Sequence, residues 1–155
     1  MKTLALTLAG LGSAAMLAAA FAFQYLGGLA PCQLCLWQRW PHAAAVLVLV
    51  LWLVTRWRIW PWIGALAALA TAGLGLFHAG VEQGWWEFVS TCTSGSVAGI
   101  SAADLMDPSK AVAPPVRCDA IPWSFMGLSM AAWNAIASLG LAALWLSGAV
   151  QKARR

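Results

Sequence analysis

Apolar residues run almost unbroken from about Leu4 to Gly27, Leu36 to Thr55, Trp60 to Gly80 and Trp123 to Val150. Within each run they cover every side, so no polar stripe recurs at helical spacing. That is the pattern of a helix set in lipid or fully enclosed by protein. Each run reaches the ~20 residues that a helix needs to cross a bilayer. The pattern predicts an all-α membrane protein, a four-transmembrane-helix bundle forming a single domain over 1–155. Polar positions gather in the connections, which predict a short first loop over about 28–35 and a long second loop over about 81–122 on the same side. The long loop contains Gly95, Gly99, Pro108, Pro114 and Pro115, so it reads as mostly irregular. Val97 to Lys110 mixes apolar residues with Asp104 and Asp107, which predicts a short helix lying on the membrane surface there.

Charge sets the orientation. Lys2, Arg56, Arg58, Lys152, Arg154 and Arg155, six of the nine basic residues, fall on one side of the predicted membrane. By the positive-inside rule that side is cytoplasmic, which puts both termini in the cytoplasm and the short first and long second loops outside. Trp57, Trp60 and Trp62 flank the cytoplasmic turn, and Trp85, Trp86 and Trp123 flank the other face, as interfacial aromatics do. Lys2, the apolar run and Ala18-Ala19-Ala20 also resemble a cleavable signal peptide. The run exceeds a usual signal core and continues through Phe21 and Tyr25, so a retained first span is expected.

Composition agrees. The chain is 62% hydrophobic and 9% charged, against about 45–50% and about 25% for soluble domains. Its net charge of +4 sits beside the spans and not in a basic cluster, so no nucleic-acid partner is expected.

The candidate chemistry lies in the cysteines. Cys32 and Cys35 close the first outer loop, and Cys92 and Cys118 lie in the second. Placement on an oxidising side favours disulfides. Cys32-Gln33-Leu34-Cys35 has the CxxC spacing of dithiol redox sites, at the start of the second span. If helix begins there, Arg39 lies one turn from Cys35, and guanidinium and helix N-terminus both favour the reactive thiolate. A c-type haem site needs His where Leu36 stands. A four-thiolate zinc site needs a second close pair, so no metal is expected. A purely structural CxxC bridge closes too small a loop to stabilise much. For Cys92 and Cys118 a structural staple stays an open alternative, and the resting connectivity stays open as well.

Pro31-Cys32-Gln33-Leu34-Cys35-Leu36-Trp37-Gln38-Arg39 resembles the P-C-x-L-C-x-aromatic-(Glu/Gln)-Arg signature of the bacterial disulfide bond formation protein B (DsbB) family. The segment from Cys118 through Pro122, Trp123 and Gly127 into the fourth span is similar as well. The likeness extends over essentially the whole chain. It implies an inner-membrane thiol–quinone oxidoreductase that reoxidises a periplasmic DsbA-like dithiol protein and passes the electrons to ubiquinone or menaquinone. In those terms Cys92 meets the partner, Cys118 resolves the mixed disulfide and exchanges with Cys32, and Cys35 donates to quinone beside Arg39. His78 stands near the family's quinone-side histidine; a histidine reaching for the interface is the equal alternative, with Glu82 one turn beyond. Trp37 either packs on the quinone or anchors at the interface, and His42 reads as structural. A vitamin K epoxide reductase-like protein places its CxxC after the loop pair, opposite to the order here. A membrane scaffold with merely stabilising bridges is the remaining alternative.

Overall fold

The computed structural model describes residues 2–88 and 116–151. Cys92, the predicted surface helix over Val97–Lys110 and the Lys152, Arg154, Arg155 tail lie outside the described residues. Four long helices account for most of the rest: α1 (Lys2–Tyr25), α2 (Gln33–Thr55), α3 (Trp60–Glu82) and α4 (Met130–Val150). The shortest, α4, has 21 residues and therefore rises about 31 Å, enough for a hydrocarbon layer of about 30 Å. All four are long and apolar enough to cross a membrane.

The helices pack in a ring in which α1 and α3 touch little, while α2 and α4 each contact both of them. Neighbours run antiparallel: Leu6, early in α1, meets Gly148, late in α4, and Gly64, early in α3, meets Trp145. Lipid tails are as apolar as leucine, so packing of small residues against large ones holds such a bundle together. Trp145 is fully buried in a core with Leu6, Leu49, Trp52 and Ala65 at the end away from the cysteines. At that end Arg56 caps α2 with a left-handed backbone (φ 56°), its guanidinium over the Trp52 ring. Trp60 donates to Thr55 Oγ1 at 2.7 Å and closes the turn.

The cysteine end is less regular, and two boundaries shift for local reasons. α2 begins at Gln33, earlier than the apolar run, because Cys32 acts as its N-cap and accepts the Cys35 backbone N–H at 3.2 Å. α4 begins at Met130, later than the apolar run, because Ser124–Phe125 (β1) and Leu128–Ser129 (β2) pair as an antiparallel hairpin. Its two turn residues, Met126 and Gly127, both have positive φ (50° and 78°), the requirement of the tight primed hairpin turn. Ser129 then caps α4 through Ala132 N–H at 3.2 Å. Trp123 leaves the membrane-spanning segment and lies against Phe23 and Phe125.

A Cβ at Gly64 would stand 2.5 Å from the Trp145 ring, whereas one at Gly73 would meet open space. Gly64→Val should therefore cost about 1–3 kcal/mol through overpacking and lower the thermal midpoint of the detergent-solubilised protein. Gly73→Ala, free of any clash and with the better helix former, should not lower it in the same assay.

Candidate functional site

The first turn of α2 carries the CxxC. Cys32 is 4% exposed and packs with Leu34, Val81 and Cys118, the last 1% exposed. Cys35, half-buried, faces a different space: a cavity of about 410 Å³ whose walls include Met16, Leu17 and Phe23 of α1 and Trp133 of α4. The two sulfurs lie 3.1 Å apart, with Cys32 donating to Cys35. That bond, with burial, pushes the Cys32 thiol upward from its ordinary pKa. The pair is thus asymmetric: Cys32 is sealed beneath the Cys118 segment, and Cys35 opens toward the cavity.

Arg39 also lines the cavity, one turn below Cys35. Its guanidinium reaches to α1, donating to Gln24 Oε1 at 2.6 Å and Ala20 O at 3.3 Å, and lies 4.9 Å from the centre of the Phe21 ring. Its Nε is buried and has no partner among the described residues. These tethers explain how an arginine is tolerated within an apolar helix.

His78 is 3% exposed, which removes the reading in which it reaches for the interface. Gln38 Nε2 donates both to Leu34 O at 3.1 Å and to His78 Nδ1 at 2.9 Å. Nδ1 is therefore the acceptor, and the ring proton sits on Nε2, which donates to the Cys118 carbonyl at 3.1 Å. The same nitrogen lies 3.6 Å from Cys32 Sγ and 3.7 Å from Glu82 Oε1. Glu82 in turn accepts from the Ser129 hydroxyl at the head of α4. His78 thus pins the Cys118 backbone directly over the CxxC.

The network continues inward. Asn134 Nδ2 donates to Gln38 Oε1 at 2.7 Å and to Thr71 Oγ1 at 3.2 Å. Its Oδ1 faces His42 Nε2 at 2.9 Å and the Ser138 hydroxyl at 3.4 Å. Thr71 Oγ1 donates to the Gln38 carbonyl at 3.2 Å, one turn above Pro41, whose missing N–H already loosens the α2 ladder there. Three helices are therefore joined through one buried amide pair.

Of the sequence candidates, Cys32, Cys35, Arg39, His78 and Cys118 converge at this end of the bundle. Trp37 does not line the cavity; its ring meets Phe88 edge-on, with centroids 5.8 Å apart. Cys92 lies outside the described residues. The sequence reading reaches Gln38 only as a motif letter, takes His42 as structural, and passes over Asn134 and Thr71. The signal was present: polar side chains inside otherwise apolar spans, which lipid does not tolerate without a partner. Cys32, Cys35 and His78 offer ligand atoms within 4.8 Å of one another, a set that suits a soft cation only if the Nε2 proton is given up. Cys118 is flanked by Arg117 and Asp119, which form an exposed ion pair with each other; such a pair contributes little stability.

Comparison with known proteins places this geometry in context. The family model for disulfide bond formation protein DsbB matches residues 2–148. A disulfide bond formation protein B of Methylococcus capsulatus is 35% identical over 139 residues, covering 86% of this chain and 85% of that protein. One of Hahella chejuensis is 28% identical over 155 residues, covering 93% and 91%. One of Xanthomonas oryzae is 30% identical over 155 residues, covering 94% and 88%. No solved structure matches the chain.

Asn134→Leu removes the shared partner of Gln38 and His42 and leaves both with unpaired buried groups. It should destabilise the protein by about 1–3 kcal/mol, the usual cost of a broken buried network. Ser147→Ala, which loses only a bond to Leu144 O within its own helix, should cost less than about 0.5 kcal/mol. Equilibrium unfolding in mixed micelles compares them.

Proposed function

The chain belongs to the DsbB family of disulfide bond formation proteins and is a multi-pass membrane thiol oxidoreductase; from that premise we propose that it transfers electrons from a periplasmic DsbA-like dithiol protein to membrane quinone. A DsbA–DsbB–quinone relay is the known means by which bacteria keep the periplasm oxidising. The observation that carries the reading is the division of the CxxC. Cys32 is packed against Cys118, and Cys35 lines a cavity on the other side. The orientation is that of the positive-inside rule, with the chain in the inner membrane, Lys2, Arg56 and Arg58 in the cytoplasm, and the cysteines facing the periplasm.

The exchange proceeds through thiolates attacking disulfides. A thiolate of the partner attacks the Cys92–Cys118 bridge at Cys92, forming a mixed disulfide and releasing Cys118. The partner's second thiol displaces Cys92, so the partner leaves oxidised and Cys92 and Cys118 are left as thiols. Cys118 then attacks Cys32 of the Cys32–Cys35 bridge, forming Cys118–Cys32 and expelling Cys35 as a thiolate at the cavity wall. Cys92 closes back on Cys118, and Cys32 leaves as the second reduced sulfur. His78 favours the exchange by holding the Cys118 carbonyl over Cys32. Trp37, beside Phe88, is assigned to the membrane interface.

The cavity suits a quinone headgroup. Its volume lies within the ~300–1,000 Å³ of small-molecule sites, and its walls are largely apolar with a few polar groups. Arg39 is the cation available to bind a ring oxygen. A ubiquinone or menaquinone held there would supply the two-electron acceptor for the Cys32–Cys35 dithiol, whose Cys35 lines the cavity.

Purified protein in lipid discs with a ubiquinone analogue should reoxidise a reduced thioredoxin-like dithiol protein, and Cys35→Ala should abolish this. Arg39→Leu should raise the quinone KM by about 10-fold or more, the usual loss for a charged hydrogen bond. A partner lacking its second thiol cannot displace Cys92 and should be trapped on it as a mixed disulfide. Quinone-independent turnover, or parental activity in Cys35→Ala, contradicts the reading.

A further inference from the structure

Cys32 Sγ, Cys35 Sγ and His78 Nε2 lie within 4.8 Å of one another, with the Cys35 sulfur 3.1 Å and the His78 nitrogen 3.6 Å from the Cys32 sulfur. The start of α2 holds both sulfurs, and α3 brings the imidazole against them. Cys35 and His78 both line the cavity, and Cys32 stands directly behind Cys35. An ion entering the cavity therefore meets Cys35 and His78 first. Thiolates and imidazole are the donors that select copper(I) or zinc over hard cations. Zinc calls for four donors, and among the described residues this set has three. Copper(I) is satisfied by three in a plane. Bonds of about 2.3 Å to sulfur and about 2.0 Å to nitrogen, spread in that plane, set the donors about 3.7–4.0 Å apart. The Cys32–His78 spacing already matches, and turning the half-buried Cys35 side chain opens the distance between the sulfurs.

We propose that the reduced Cys32–Cys35 pair and His78 form a three-coordinate site for copper(I), which is lost whenever the two sulfurs are joined in a disulfide. Binding oxidises nothing. The two thiols release their protons, the copper stays monovalent, and two sulfur–copper bonds and one nitrogen–copper bond form. His78 moves its proton from Nε2 to Nδ1, and a metal-bound imidazole hands that proton to an oxygen. Gln38 can present Oε1 by turning its amide, at the expense of its bond to Asn134. Nε2 also leaves the Cys118 carbonyl. These losses give His78 the smaller share of the affinity and the thiolates the larger. On the exchange reading above, the bound ion withdraws both sulfurs from thiol transfer, so copper arrests the reduced protein. The site itself stands without that reading.

Full-length Cys92→Ser protein in lipid discs, reduced and kept anaerobic, is titrated with copper(I) against a bathocuproine chelator. A single ion should bind, and the Cys32–Cys35 disulfide form should bind none. Cys35→Ser should weaken binding by about 100-fold or more and His78→Leu by about 10- to 100-fold, whereas Cys118→Ser should change it less than about 3-fold. X-ray absorption of the copper-loaded parent needs no variant to fold. It should show two sulfurs at about 2.3 Å and one nitrogen at about 2.0 Å. Copper left entirely with the chelator, equal binding by the disulfide form, or a shell of sulfur alone overturns the inference. Quinone-dependent turnover should stop when the site is filled and return when the chelator strips the ion. Turnover that continues with the site filled overturns the exchange reading and leaves the copper site intact.

Discussion

The hydrogen-bonded pair of Gln38 and Asn134 is the contact on which this end of the bundle depends. In an apolar interior neither amide can be left unpaired, and each satisfies the other while reaching outward to a histidine. Gln38 fixes His78, which fixes the Cys118 carbonyl; Asn134 fixes His42. The pair therefore sets the register of α2 against α4, and through Thr71 and His78 the position of α3. Individual bonds between helices in membranes contribute modestly, about 0.6 kcal/mol on average. What the network supplies is chiefly direction: it decides which atom of each side chain faces which neighbour.

That direction accounts for the unequal cysteines. Cys32 caps α2 and is roofed by Cys118. Cys35, three residues on, has turned toward α1 and the cavity. One helical turn separates a sulfur packed against protein from one facing the cavity. The hairpin before α4 serves the same end, since Ser129 caps the helix and donates to Glu82 beside His78.

The sequence made much of this legible. Hydropathy located all four helices, because a lipid-facing surface leaves no polar stripe to confuse the count. The motif from Pro31 to Arg39 singled out the two sulfurs and the arginine that the fold gathers at one end of the bundle. The helix starts were less legible. A cysteine acting as N-cap carries no compositional signal, so Gln33–Cys35 read as loop. Trp123–Ser129 is as apolar as a span, and only the Met126-Gly127 turn betrays the hairpin. Asn134 and His42 were hidden for a different reason. Their partners are far away in the chain, and a lone polar residue in a span tells only that some partner exists. His78 was identified as a candidate, but its attachment to Cys118 depends on tertiary contacts that no local pattern records.

The division of labour between Cys32 and Cys35 is the central claim, and disulfide mapping by mass spectrometry tests it directly. Cys35→Ser and Cys32→Ser proteins, each also carrying Cys92→Ser so that Cys92 cannot reclaim Cys118, are oxidised mildly in membranes and digested, and the partner of Cys118 is identified in each. The account predicts a Cys32–Cys118 bridge in Cys35→Ser and little or no Cys35–Cys118 bridge in Cys32→Ser. Equal bridging of Cys118 to either cysteine would contradict it.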